Sequence, residues 1–177
     1  MKNMLVVVDY QEDFVDGALG FPDAKDLDTG IAALVDEATT AGDTVVYTMD
    51  SHGGDYLDTR EGKVLPVPHC IVGTHGWKLY GETSLAMERN SNAIPLAKTT
   101  FGVSPKTMEH SLPMEAPETI TIVGLVTNMC VISNVCTFQA KYPDAQIIVK
   151  RDLCASFSNE LHDKTMDILE GLQVKVI

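Results

Sequence analysis

The chain has 177 residues, of which 45% are hydrophobic and 21% are charged, a balance typical of a soluble globular protein with one sizeable core. Its 25 acidic residues outnumber its 13 basic ones, and the formal net charge of −12 argues against nucleic acid and anionic membrane surfaces as partners. Every apolar run is far shorter than the roughly 20 residues of a membrane span. We therefore expect one domain over residues 1–177.

The cellular setting is indicated by the N-terminus and the cysteines. The first residues lack the small-residue cleavage site of a secretory signal and run directly into an apolar stretch. Four cysteines are few for this length, so we expect free thiols in a reducing cytoplasm rather than disulfides. A functional cysteine in such a protein is expected to act through the reactivity of its thiol.

Apolar β-branched segments alternate with amphipathic segments along the chain. They predict strands at 4–9, 44–50, 93–98, 119–126, 145–150 and 173–177, and helices at 30–41, 128–141 and 159–170. Gly42 predicts the end of the first helix, and Asn128 is the predicted cap of the second. Residues 51–92, rich in Gly, His, Asp and Pro, predict a long loop of the kind that usually carries function.

This alternation of strands and helices predicts an α/β fold. Continuous apolar runs such as M-L-V-V-V-D (4–9) are typical of strands that are buried on both faces of a parallel sheet. The order predicts a three-layer, doubly wound, mostly parallel six-stranded sheet with helices on both faces. Ligands of such sheets bind beyond the carboxyl ends of the strands. Asp9, Asp50, Lys98 and the segment before Cys130 all follow predicted strands, so we expect them to converge.

Cys130 is the most informative of these residues because it lies in a strand-to-helix turn, G-L-V-T-N-M-C-V (124–131). Backbone N–H groups and the helix dipole at such a turn lower the pKa of a thiol and can form an oxyanion hole. Its position alone is equally compatible with a buried, inert cysteine. Asp9 could exchange a proton with the thiol, and Lys98 would keep that carboxylate ionised. Taken singly, each of these two is better explained as a loop cap or a solvated side chain.

A second group combines Asp50-Ser51-His52 with Glu61 and His69. Carboxylate and imidazole ligands suit zinc, iron or manganese rather than calcium, and such a set leaves positions open for water or substrate. The spacing alone is weak evidence, because D-x-H is common by chance. His162, on the last predicted helix, is interpreted as a surface or capping histidine.

Several of these segments together resemble a known family. V-V-V-D-Y-Q-E-D-F (6–14), A-K-T-T-F-G (97–102) and G-L-V-T-N-M-C-V (124–131) resemble motifs of the isochorismatase-like cysteine hydrolase superfamily. V-P-H-C-I-V-G-T-H-G (67–76) is similar to the P-P-H-x-x-x-G-T-x-G segment of its nicotinamidase branch. The resemblance extends over nearly the whole chain and implies the isochorismatase-like form of the predicted fold.

The resemblance implies a role for each matching residue of the reaction centre. Asp9, Lys98 and Cys130 fall on the catalytic positions, with Cys130 as the nucleophile. A cis peptide bond is implied before Val126, and it would aim the amides of Val126 and Cys130 at the substrate oxygen as an oxyanion hole.

The resemblance also implies a divalent metal ion, with zinc as the first choice and iron or manganese as alternatives. Its implied ligands are Asp50, His52, Glu61 and His69. Leu65 and Pro66 stand where nicotinamidases often place an aromatic residue before the metal-binding histidine. Phe14 and Phe101 therefore remain as the substrate-binding residues that could pack against a flat ring.

The implied function is that of a metal-assisted cysteine amidohydrolase converting nicotinamide to nicotinate and ammonia. Its expected partners are the small amide and further copies of the chain, with no nucleic acid and no membrane. One alternative is a related hydrolase for another small amide or carbamoyl compound, with a vestigial metal site. Two others are a phospho-accepting receiver domain with Asp50 as acceptor and an inactive homologue that acts as a binding protein.

Overall fold

The computed structural model of the protein describes residues 3–177. Within them, six strands form one sheet: β1 (Met4–Val8), β2 (Thr44–Asp50), β3 (Ile94–Lys98), β4 (Thr119–Leu125), β5 (Gln146–Ala155) and β6 (Lys175–Val176). The strands lie in the order β3-β2-β1-β4-β5-β6, and each neighbouring pair is parallel. The predicted α/β fold is confirmed, and this sheet is parallel throughout.

Helices cover both faces of the sheet. They are α1 (Glu12–Val15), α2 (Asp28–Ala41), α3 (Arg60–Val64), α4 (Gly81–Arg89), α5 (Pro105–Ser111), α6 (Ile132–Lys141) and α7 (Asn159–Gly171). Two apolar clusters result, one with residues of α2 and α4 and the other with residues of α5, α6 and α7. Side chains of β1 alternate between them: Val6 and Val8 join one cluster, and Leu5 and Val7 join the other. Because β1 is buried on both faces, its sequence is continuously apolar.

The ends of two predicted helices have local causes. α2 ends at Gly42, which adopts a left-handed φ of 72° and whose N–H returns to the carbonyls of Ala38 and Thr39. α7 begins after Ser158, whose side chain accepts a hydrogen bond from the N–H of Leu161. Because these caps are local, the end of α2 and the start of α7 could be predicted from the sequence.

The prediction that Asn128 caps a helix over 128–141 is wrong. A π-helical turn (Thr127–Val131) precedes α6, and no side chain caps it. The Asn128 carboxamide oxygen instead accepts a hydrogen bond at 2.6 Å from Ser156 Oγ, just beyond β5. This partner is 28 residues away in sequence, so local helix rules could not reveal it.

Residues 51–92 contain more secondary structure than the predicted long loop. They contain α3, α4 and a 3₁₀ turn at Tyr56–Asp58. α4 is held at its start by a distant carboxylate, because Asp28 accepts hydrogen bonds from the N–H groups of Glu82 and Thr83. Its start lacks a local capping side chain, which explains why the helix was missed.

The strand order places a switch point between β1 and β4, since the chain first adds strands on one side of β1 and then on the other. The carboxyl ends of β1, β2, β3 and β4 therefore meet at one edge, where ligands of doubly wound sheets bind. None of the helices within residues 3–177 is long and apolar enough to cross a membrane.

Candidate active site and metal centre

Asp9, Lys98 and Cys130 meet at this edge, as the sequence predicts. Lys98 Nζ lies 2.6 Å from Asp9 Oδ2 and 3.6 Å from Cys130 Sγ. All three side chains are at most 5% exposed. Asp9 follows β1, Lys98 ends β3 and Cys130 follows β4, so parallel strand ends bring together residues that are far apart in sequence.

The backbone of Asp9 contributes to this geometry. Asp9 has a left-handed φ of 45°, which is uncommon for a residue with a side chain and typical of functional sites. Its N–H donates to Thr48 Oγ1 at 3.1 Å, and the Thr48 hydroxyl donates in turn to Asp9 Oδ1 at 2.6 Å. One carboxylate oxygen therefore faces Thr48, and the other faces Lys98.

Burial and charge compete at the three catalytic candidates. Burial raises the pKa of Asp9 above its usual range, although the Lys98 ammonium opposes that rise. Burial disfavours the charge on Lys98, but the negative charges around it, first of all the Asp9 carboxylate, raise its pKa overall. The lysine is therefore firmly cationic, and it supports a negative charge on whichever neighbour carries one.

The expectation of a lowered pKa for Cys130 is wrong. Burial and the neighbouring Asp9 carboxylate raise the pKa of this thiol well above its ordinary value, and Lys98 offsets only part of that rise. A dipole at the start of a helix cannot compensate for desolvation and a like charge inside the protein. The resting sulfur consequently carries its proton, and attack requires that proton to move.

A second cluster lies beside the first. Asp50, His52, Glu61 and His69 present ligand atoms that all lie within 4.8 Å of one another. Asp50 Oδ2 is 3.0 Å from His52 Nε2 and 3.4 Å from His69 Nε2. Asp50 Oδ1 lies 3.3 Å from Lys98 Nζ, so Asp50 connects the two clusters.

The donor set fits a divalent metal ion. Two borderline imidazole nitrogens combined with two hard carboxylate oxygens form a mixed set that suits zinc or iron. His69 Nδ1 donates to the Val67 carbonyl at 2.8 Å, which directs Nε2 toward the cluster in the manner of metal-binding histidines. Hydrogen bonds with both histidines and the charge of Lys98 outweigh burial and hold the pKa of Asp50 well below its usual range. Asp50 thus offers an ionised oxygen to such an ion.

Aromatic rings flank this cluster. Phe14 is 5% exposed and packs edge-on against His69, with ring centroids 5.5 Å apart. The Tyr56 ring packs against both imidazoles, and its centroid lies 4.7 Å from that of His52 and 5.0 Å from that of His69. Phe14 therefore lies beside these candidate ligands, and its role in binding substrate stays a prediction. Tyr56 was missed because nothing in the sequence of residues 51–92 indicates which side chains face the cluster.

Phe101 and Val126 approach the site through the backbone. Asn134 Nδ2 donates to the carbonyls of both Phe101 and Cys130, while the Phe101 side chain is 37% exposed. The Leu125–Val126 peptide bond is cis, as expected. The N–H groups of Met129 and Val131 both donate to the Val126 carbonyl and close the turn that carries Cys130.

Sequence reasoning missed two further polar residues. Gln11 is fully buried, and its carboxamide bonds both the N–H of Asp50, at 2.7 Å, and the carbonyl of Asp50, at 2.9 Å. Thr48 lies two residues before Asp50 on β2 and holds Asp9. Residues two apart on a strand share a face, so the alternation in T-M-D could have identified Thr48.

The chain matches the model of the Isochorismatase domain over residues 3–177 and belongs to the isochorismatase family of hydrolases. Membership of this family rules out the alternative of a phospho-accepting receiver domain. A comparison with curated protein sequences found no match.

Solved structures resemble the protein over nearly its full length. A nicotinamidase/pyrazinamidase from Bacillus subtilis is 28% identical, with a TM-score of 0.85 and coverage of 99% of each chain. A pyrazinamidase from Pyrococcus horikoshii in complex with zinc is 19% identical (TM-score 0.83), with coverage of 100% of this chain and 99% of that one. An N-carbamoylsarcosine amidase from Thermoplasma acidophilum is 21% identical (TM-score 0.77), with coverage of 99% and 95%. The last two likenesses establish the fold alone.

Proposed function

We propose that the protein is a metal-assisted cysteine amidohydrolase that converts nicotinamide and water to nicotinate and ammonia. The observation that carries this proposal is the position of Lys98 Nζ, 2.6 Å from Asp9 and 3.6 Å from Cys130. A nucleophile, a proton acceptor and a fixed cation then stand together at a buried strand edge. The likeness to the Bacillus subtilis enzyme supports nicotinamide as the substrate.

In the proposed reaction, Asp9 takes the proton of the Cys130 thiol as the sulfur attacks the amide carbon. The raised pKa values of both groups favour a proton that moves only when attack begins. The amides of Val126 and Cys130 hold the oxygen that becomes negative, and Lys98 balances the charge around it. Asp9 then gives its proton to the leaving nitrogen, which departs as ammonia and leaves a thioester.

Hydrolysis of the thioester completes the cycle. Asp9 takes a proton from water, whose oxygen attacks the thioester carbon, and then returns that proton to the leaving sulfur of Cys130 as the carbon–sulfur bond breaks. The acid product releases its own proton to solvent and departs as nicotinate. When bound at Asp50, His52, Glu61 and His69, a divalent metal ion supplies a Lewis acid for the ring nitrogen and for a water molecule. Phe14 would provide an apolar wall beside the ring.

The two residues that lie between Glu61 and His69 in place of an aromatic residue favour a second candidate. Leu65 and Pro66 place no aromatic ring there, which costs a stacked substrate roughly 0.5–1.5 kcal/mol. The alternative is therefore a hydrolase for another small amide or a carbamoyl compound.

Metal analysis and an amide panel test the proposal. We expect about one zinc or iron per chain and ammonia release from nicotinamide that Cys130→Ala abolishes. Cys136→Ala, at an exposed thiol on α6, is the matched control and should remain active. Release of ammonia only from carbamoyl compounds would favour the alternative, and a fully active Cys130→Ala would refute the thiol mechanism.

A homo-oligomer and a cytoplasmic location stay predictions. Sedimentation of the purified chain tests the first, and a single species at 19.2 kDa would contradict it. Fractionation of the producing cells tests the second, and recovery outside the cytoplasm would contradict it.

A further inference from the structure

Two side-chain hydrogen bonds tie the turn that carries the nucleophile to the segment around the start of α7. Thr127 Oγ1 lies 2.9 Å from His162 Nδ1, and Ser156 Oγ donates to Asn128 Oδ1 at 2.6 Å. Thr127 is fully buried, so its hydroxyl would have no water to replace a lost partner. Leaving a buried hydroxyl without a partner costs more than an ordinary hydrogen bond contributes on balance.

His162 is therefore misinterpreted as a surface or capping histidine. It is half-buried against the turn, and its own N–H donates to the Ser158 carbonyl in the first turn of α7. The helix is fixed by Met166 and Leu169, which are fully buried in the core. The imidazole thus extends from a helix that is anchored in the core.

The charges around His162 favour a neutral ring. Burial, with the positive charge of Arg151, lowers the pKa of the imidazole, while Asp163 and Asp152 oppose this more weakly. Arg151 is itself paired with Asp163 at 2.7 Å. A neutral imidazole keeps the hydrogen bond with the buried Thr127 hydroxyl without placing a positive charge against it.

We propose that His162 is a positioning residue of the hydrolase: through Thr127 it holds the nucleophile turn so that the Cys130 thiol and the amides of Val126 and Cys130 face the substrate. Thr127 directly follows Val126 and lies three residues before Cys130, so a shift of its side chain moves all three groups. Misplacement by about 1 Å far from the chemistry can cost up to a hundredfold in rate. The inference rests on the proposed thiol mechanism but not on nicotinamide as the substrate.

Steady-state kinetics test this role with His162→Ala, His162→Asn and Thr127→Val. We expect kcat to fall about fivefold or more in His162→Ala and Thr127→Val, with KM unchanged, because neither group binds substrate. Asparagine can place an amide nitrogen near the position of Nδ1, so His162→Asn should recover most of the loss. The kcat of the double variant His162→Ala/Thr127→Val should be no lower than that of the more impaired single variant, because both changes remove the same hydrogen bond.

The matched control is His110→Ala, an exposed histidine whose Nδ1 bonds a carbonyl of its own helix. It should keep the wild-type kcat, and all variants are compared well below their unfolding midpoints. A rise in KM at constant kcat would overturn the proposal. An asparagine variant as impaired as the alanine variant, with the same midpoint, would overturn it too.

Alkylation of Cys130 by iodoacetamide provides a readout that needs no substrate. In a Cys136→Ser background, we expect His162→Ala to slow this reaction about fivefold, because a displaced thiol passes its proton to Asp9 less readily. His162→Asn should restore the rate. Faster alkylation would indicate that the turn has merely loosened, and unchanged alkylation would indicate that His162 does not position the thiol. Either result would overturn the proposal. If nicotinamide is not cleaved but alkylation slows as stated, the substrate assignment fails and the role of His162 stands.

Discussion

At the scale of single residues, the site depends on how each buried charge is balanced. Asp9 has one oxygen on the Thr48 hydroxyl and the other on the Lys98 ammonium. Both partners lower a pKa that burial alone would raise further. In the proposed reaction Asp9 accepts and releases a proton within one cycle, so its partners would tune the reaction as well as the structure.

Replacing Thr48 by valine, which has the same shape, should shift the pH dependence of the enzyme. The hydroxyl stabilises the ionised Asp9, so its removal raises the pKa of Asp9 further. We expect the acid limb of kcat/KM to move to higher pH. Thr40→Val, which removes an exposed hydroxyl that bonds a carbonyl within α2, is the control and should leave the limb in place. A limb that moves to lower pH would contradict this role for Thr48.

Lys98→Met should affect both rate and stability. Loss of the ammonium leaves a buried carboxylate without its cation, and we expect the rate to fall by about a hundredfold or more. The pKa of Asp9 then rises further above its ordinary value of 3.8, so the folded state binds a proton that the unfolded state releases. The free energy of unfolding should consequently decline, as pH rises above that value, more steeply than in the wild type.

Urea unfolding at about pH 5 and about pH 8 measures this slope. Lys106→Met, at an exposed lysine on α5, provides the comparison and should follow the wild type. If Lys98→Met gained stability toward higher pH, Asp9 would not be the group responsible.

At the scale of elements, one glycine decides how closely β4 approaches β1. Gly124 has a φ of 114°, a region that residues with side chains rarely adopt. A Cβ at this position would also overlap the backbone carbonyl oxygen of Val8. The pairing of Val8 with Gly124 lies immediately before Asp9 and shortly before the turn that carries Cys130, so it sets the separation of these two segments.

Gly124→Ala should therefore destabilise the protein by more than about 2 kcal/mol or prevent folding, through backbone strain and the clash with β1. Chemical denaturation followed by circular dichroism measures the loss. Gly171→Ala, where a Cβ would meet nothing within 4 Å, is the matched control and should be neutral or slightly stabilising. Equal stabilities of the two variants would show that Val8 and Gly124 can separate at little cost.

At the scale of the whole molecule, the candidate metal site joins separate parts of the chain. Asp50 ends β2, Glu61 lies in α3, and His69 lies in the segment between α3 and α4. His52 and Ile71 form a parallel bridge that holds this segment beside the end of β2. An ion bound by all four ligands would stabilise the folded state and not the unfolded one, since only folding brings the ligands together.

Removal of the metal should lower the unfolding temperature. Zinc at a hundredfold excess over its dissociation constant stabilises by about 2.7 kcal/mol, which corresponds to roughly 5–10 °C for a chain of this size. Differential scanning calorimetry with and without a chelator measures the shift. His69→Ala should abolish the shift, whereas His75→Ala, an exposed histidine in the same segment, should retain it. A midpoint that does not depend on zinc in the wild type would refute the site.

The sequence alone determined the architecture and the residues most suited to chemistry. Apolar runs such as residues 4–9 identify buried parallel strands, and polar residues at their ends must meet because parallel strands share one edge. Strand ends therefore predicted that Asp9, Lys98 and the segment of Cys130 converge, whereas the roles of these residues and of the four metal ligands came only from the resemblance to a family.

Only the tertiary structure decided the states of these groups and the partners that hold them. The pKa of Cys130 is raised because burial and Asp9 outweigh the helix terminus, and neither effect is a property of neighbouring sequence. Asn128 bonds Ser156, and Thr127 bonds His162, across the space between two elements. Periodicity reports which side of an element faces the core, but the dielectric and the hydrogen-bond partners around a side chain arise only when the elements pack.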